Sequence, residues 1–192
     1  MTQLTHQFND ALIYTCNLHQ AQVRKADRTP YVAHLLSVAA LVLEDGGTEQ
    51  EAIAALLHDA LEDQGGEATR QDILARFGPT VTAIVEGCTE SMTLPKPPWR
   101  DRKLRYLANL HQGDAAVIRV SLADKLHNGR SLLSQLRHHG LQVWQHFHQP
   151  PSETLWFYRE LLQIYQQHSR SIHLQGFREV VAQLALEMPT SK

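Results

Sequence analysis

The run Ala55-Leu56-Leu57-His58-Asp59-Ala60-Leu61-Glu62-Asp63 decides how this chain is read. Its alanines and leucines are strong helix formers, and the apolar positions fit a helical rather than an alternating period. Four ionisable residues interrupt that helix at the depth where core is expected. Burying such groups costs several kcal/mol unless each is paired or bound to a metal. A divalent cation satisfies a His and an Asp lying side by side in a helix bundle, so the stretch reads first as a metal site.

Outward from this run the spacing stays helical, with no convincing alternation of the strand type. Thr48 and Glu51 form a capping-box pattern that opens the helix carrying His58 to Asp63, and Gly65-Gly66 closes it. Upstream, helices are expected over about 7–23 and from Pro30 to Gly46-Gly47. Downstream, Thr69 with Asp72 repeats the capping signal, Gly78 ends a short helix, and Pro79 opens another that reaches Cys88. Pro95, Pro97 and Pro98 make 89–98 a loop. Further helices are expected over 99–111, 114–137, 153–168 with Ser152 as N-cap, and 174–187. The fold class is all-α, a compact helical bundle. A length of 192 residues suits one domain.

The composition, 43% hydrophobic and 20% charged, is that of an ordinary soluble chain. A formal net charge of −2 provides no basic field for nucleic acid, so an anionic ligand must be met by local cations. Cys16 and Cys88 form no CxxC pattern and fit a reducing cytosol. The N-terminus lacks a signal-peptide pattern, and no apolar stretch approaches a membrane span. A cytoplasmic protein with no membrane partner is expected.

On a helix, His58, Asp59, Glu62 and Asp63 fall within about 140° of arc and share one broad face. His34 and Asp124 lie on other apolar helices, with Asn128 one turn beyond Asp124. Two imidazoles and two carboxylates suit Mn²⁺, Fe²⁺ or Zn²⁺ better than Ca²⁺, with Mg²⁺ a further choice. Taken singly, His34 reads as a hydrogen-bonded core histidine and Asp124 as a partner for a nearby Lys or Arg. Taken together they require several polar burials in one small core, which spacing alone leaves balanced against the metal reading.

The order His34, His58-Asp59, Asp124 resembles the H…HD…D signature of the HD phosphohydrolase superfamily. Arg24-Lys25 before Thr29-Pro30-Tyr31-Val32-Ala33-His34, and His58-Asp59-Ala60-Leu61-Glu62-Asp63, are similar to segments of RelA/SpoT-type alarmone hydrolases. Thr93-Leu94-Pro95-Lys96, Arg102-Lys103 and Leu122-Ala123-Asp124-Lys125-Leu126-His127-Asn128 look like those of the small metazoan-type members. The likeness covers about residues 5–165, leaving a C-terminal helical extension within a single domain. It implies His34, His58, Asp59 and Asp124 as ligands to a metal, usually Mn²⁺, and Glu62 and Asp63 as the pair that activates and positions water. It also implies Arg24, Lys25 and Asn128 as contacts to a nucleotide. The family reaction removes the 3′-diphosphate of (p)ppGpp, giving GDP or GTP and pyrophosphate, and phosphoryl transfer of this kind needs mainly a placed nucleophile and neutralised charge.

The chain departs from the family at Ala26-Asp27-Arg28 and at Met92, and leaves no room for a synthetase domain, so a stand-alone hydrolase is expected. His138, His139, His146 and His148 read as a solvated connection rather than a second metal site. Arg100, Arg102, Lys103 and Arg105 form either a solvated face or a phosphate-facing one. Lys125 is expected at the surface, pointing away from Asp124. Trp144, Trp156, Phe157 and Tyr158 read as core more readily than as a base platform. Two other functions stay open: a phosphatase of another nucleotide, such as a 5′-nucleotidase or an NADPH 2′-phosphatase, and a non-catalytic nucleotide sensor. No GYP motif supports a cyclic-dinucleotide phosphodiesterase.

Overall fold

The computed structural model describes residues 2–24, 28–93, 95–147 and 149–188. Among them the chain forms α1 (His6–Leu18), α2 (Val32–Glu44), α3 (Glu49–Leu57), α4 (Ala60–Asp63) and α5 (Glu67–Cys88). There follow α6 (Trp99–Gln112), α7 (Ala115–His139), a 3₁₀ turn over Gly140–His146, α8 (Pro151–His168) and α9 (Leu174–Leu186). The described residues contain no strand; one isolated antiparallel bridge joins Val23 to Pro30. Among the described residues no helix is long and apolar enough to cross a membrane. The fold is all-α, as the period indicated.

α3 is the central helix. Ala52 to Leu57 are all buried, and the helix packs against α1, α2, α5 and α7. A helix apolar on every side is stable only when surrounded, and its alanines let those neighbours come close. Thr48 and Glu51 form the expected capping box, each side chain bonding the other's backbone N–H. α7 is the second scaffold: it contacts α2, α3, α5, α8 and α9. At Gly129 a Cβ would stand 2.4 Å from Val180 and 2.9 Å from Tyr158, so glycine is what lets α8 and α9 seat on α7.

Several boundaries differ from the sequence expectation. The helix holding the HD pair is not continuous: α3 stops at Leu57 and α4 begins at Ala60. The His58 Nδ1–H donates to the Ala55 carbonyl at 2.8 Å, the acceptor that the Asp59 amide would use to prolong the helix. α1 ends at Leu18 rather than near 23, because the chain must turn for Val23 to pair with Pro30. Thr69 is no N-cap; α5 starts at Glu67, and the Thr69 hydroxyl donates to the Gln64 carbonyl at 2.7 Å. Ser152 sits inside α8, whose first residue is Pro151, where the missing N–H costs nothing. The break at Gly78 is present, with φ 81° and ψ 176°, and Pro79 restarts the helix.

Candidate metal centre and cleft

Two helices, α2 and α7, and the α3–α4 junction bring His34, His58, Asp59 and Asp124 together. The donor atoms of His34, His58 and Asp59 lie within 4.8 Å of one another. Asp124 Oδ1 closes the group, 3.3 Å from His34 Nε2 and 3.5 Å from His58 Nε2. Asp59 Oδ2 lies 3.1 Å from His58 Nε2 and 3.8 Å from His34 Nε2. Both histidines are buried, and Asp59 is the member most open to solvent.

The two Nε2 atoms are buried with no hydrogen-bond partner. Each ring's other nitrogen is engaged: His58 Nδ1 with the Ala55 carbonyl, His34 Nδ1 with His127 Nδ1 at 2.8 Å. Orphaned Nε2 lone pairs facing two carboxylates are what a cation would fill. Charge gives the same answer. Burial opposes a charge on His58, yet Asp59 and Asp124 override it and hold the ring well above the ordinary imidazole range. Burial likewise opposes the Asp124 carboxylate, and Lys125 with His58 holds it well below the usual range. A positive charge thus belongs between these carboxylates, and the residues present fit a divalent metal.

Around this centre the structure supplies parts that sequence reasoning had not assigned. The Tyr31 hydroxyl donates to Asp59 Oδ2, and its ring edge meets His34. His127 lies against His34 with ring centroids 4.8 Å apart; burial, then the His34 ring and Arg24, press its pKa down to about 4. Lys125 does not point away. Its ammonium curls back to Asp124 Oδ2 at 2.7 Å, and its side chain is only 13% exposed. The long side chain reverses the direction its helical position suggests, pairing with the neighbouring carboxylate and lying over the Tyr106 ring at 5.2 Å.

The centre opens onto a cleft of about 650 Å³. Glu62 and Asp63 stand on its wall, one turn past the HD pair. Glu62 Oε1 pairs with Lys96 Nζ at 2.8 Å, and its other oxygen accepts from the Glu90 amide at 3.3 Å. Asp63 accepts from Gln22 Nε2 at 2.8 Å. Arg24 donates to Asn128 Oδ1 at 2.9 Å, while the Asn128 amide donates to Asp124, so both line the cleft. Lys25 lies outside the described residues.

The basic stretch divides. Arg102 and Lys103 line the cleft and both bond Glu90, whose side chain is only 8% exposed. Arg100 stacks on Trp156 and bonds Glu153, and Arg105 is exposed. Among the described residues His138, His139 and His146 form no metal-competent group, and His148 lies outside them. His146 and the partly exposed Phe147 instead line the cleft, as does Tyr158. Trp144, Trp156 and Phe157 pack on or in the core.

Residues 11–151 match the HD-domain family model. Over 127 residues the chain is 39% identical to a Brucella melitensis GTP pyrophosphokinase rsh, spanning 65% of this chain and 16% of that protein. The chain therefore covers about one sixth of the length of these longer relatives. It is 37% identical over 126 residues to the Xenopus tropicalis guanosine-3′,5′-bis(diphosphate) 3′-pyrophosphohydrolase MESH1, covering 64% of this chain and 68% of that one. A solved structure described as a metazoan ortholog of SpoT that hydrolyses ppGpp superposes with a TM-score of 0.78 at 24% identity, over 97% of this chain and 99% of that one, which fixes the fold. By its matched span and by its likeness to MESH1, the chain belongs to the HD-domain family, in its RelA/SpoT and MESH1 branch.

Proposed function

We propose that this protein is a metal-dependent pyrophosphohydrolase that removes the 3′-diphosphate of (p)ppGpp, with Mn²⁺ as its metal, acting as a single hydrolase domain. The observation that carries the reading is one cleft joining the His34/His58/Asp59/Asp124 group to a carboxylate, Glu62, already paired with Lys96. The names of the MESH1 relatives support the substrate.

His34, His58, Asp59 and Asp124 hold the cation, which when bound lowers the pKa of water and offsets charge on a phosphoryl group. Every other part comes from the chain. Glu62 takes the proton of the attacking water, and Asp63, tethered by Gln22, orients it. Lys96 and Arg102, 2.8 and 3.7 Å from Glu62, meet the phosphates, which frees Glu62 to act as a base. Arg24, Lys25 and Asn128 receive the nucleoside side. Water oxygen bonds to the phosphorus attached to O3′, the O3′–P bond breaks, and O3′ takes up a proton. The products are GDP or GTP and pyrophosphate.

Purified, Mn²⁺-loaded protein offered ppGpp, NADPH and a nucleoside 5′-monophosphate in parallel is expected to release pyrophosphate and GDP from the first and little orthophosphate from the others. Orthophosphate from NADPH or the monophosphate with ppGpp untouched would replace this reading by a phosphatase. Tight nucleotide binding without turnover would replace it by a sensor.

A further inference from the structure

The two histidines of the centre are supported in different ways. Behind His58 stands a backbone carbonyl, Ala55 O, which no substitution removes. Behind His34 stands a side chain, His127, one helix away on α7, with Nδ1 facing Nδ1 at 2.8 Å. A hydrogen bond between two imidazole nitrogens fixes both rings at once: one nitrogen carries the proton and the other must be bare. His34 Nε2 is buried, unpartnered and turned to Asp59 and Asp124. If that nitrogen offers its lone pair to a metal, the His34 proton sits on Nδ1 and His127 Nδ1 accepts it.

We propose that His127 is the positioning residue for His34, an imidazole that accepts the His34 Nδ1–H and so holds the ring in the tautomer and orientation that present Nε2 to the metal. The inference rests on the ligand role given to His34 above. His127 touches no substrate in this arrangement; it acts through His34. His127 lines a second groove of about 460 Å³, which shares Arg24, Ser131 and Gln135 with the cleft. His127 itself does not line the cleft, so the support of one ligand is open to substitution, while the support of the other is locked in backbone. Groups that orient metal-bound histidines are commonly worth about 10–100-fold in metal affinity.

The test compares Mn²⁺ binding, followed by the electron paramagnetic resonance of the free ion, in the unaltered protein, His127→Leu and His127→Gln. Leucine removes the acceptor; glutamine returns one as a side-chain carbonyl. Loss of roughly 10–100-fold in affinity with leucine, and recovery of most of it with glutamine, is the expected result. A purely structural role would show as lower thermal stability in both variants without that recovery. The unaltered Zn²⁺-loaded protein adds a readout that needs no variant: a nitrogen–nitrogen coupling across the His34–His127 hydrogen bond in the ¹⁵N spectrum. Equal Mn²⁺ affinity in the unaltered protein and the leucine variant overturns the role of His127 alone, as does a glutamine variant no better than leucine or an absent coupling. Failure of the unaltered protein to bind Mn²⁺ overturns the ligand assignment along with it.

Discussion

Asp59→Ala is expected to give a folded protein that has lost both its metal and its turnover. Asp124→Ala is expected to lose the same two properties and a large part of its stability as well. The difference follows from what each carboxylate touches. Asp59 is partly open to the cleft; besides His58 it accepts from the Tyr31 hydroxyl, which water can satisfy. Asp124 is buried and answers Lys125 at 2.7 Å as well as both histidines. Removing it strands a buried ammonium, and breaking a buried pair from one side costs about 3–5 kcal/mol. If outer partners of a metal histidine are worth roughly 10–100-fold, a direct ligand is worth more, so metal content in both variants should fall to background. Elemental analysis of the dialysed proteins reads the first quantity and thermal unfolding the second. Full metal in either variant would remove that residue from the ligand set.

Glu62→Gln carries the second large effect. The substitution keeps size and one acceptor oxygen but removes the base, and general-base groups contribute about 10²–10⁴-fold to rate. kcat should fall by that order while metal content stays whole. KM should change little, because Lys96 and Arg102 remain to meet the phosphates and lose only their partner carboxylate. The Lys96 pair is partly exposed, so its loss alters stability by little. An unchanged kcat would take Glu62 out of the proton transfer and turn attention to Asp63.

The all-α fold was legible because helical period is a short-range pattern. Period also places His34, His58, Asp59 and Asp124 on apolar faces, but that alone left a shared site balanced against separate buried partners, and it was the resemblance to the H…HD…D signature that grouped them. The HD pair was misjudged as part of one helix because the break comes from a ring capturing the Ala55 carbonyl, which leaves no trace in periodicity. Lys125 was misplaced for a related reason: period gives the direction of a Cβ, whereas a four-carbon chain can turn back to a neighbour. His127 and Glu90 were not singled out at all. Their partners, His34 and the Arg102–Lys103 pair, come from other helices, so their roles exist only once α2 and α6 have docked. The hydroxyl of Tyr31 belongs with them: the motif containing it was visible, its bond to Asp59 was not.

In the proposed reaction water attacks the phosphorus attached to O3′ at the metal-side wall of the cleft. Hydrolysis of ppGpp by the Mn²⁺-loaded protein in ¹⁸O-labelled water, with the products resolved by mass, shows which phosphorus is attacked. One ¹⁸O in pyrophosphate and none in GDP is the predicted result. Label in orthophosphate, with the nucleotide keeping one phosphate at its 3′ position, would place the attack on the terminal phosphorus and contradict the proposed reaction.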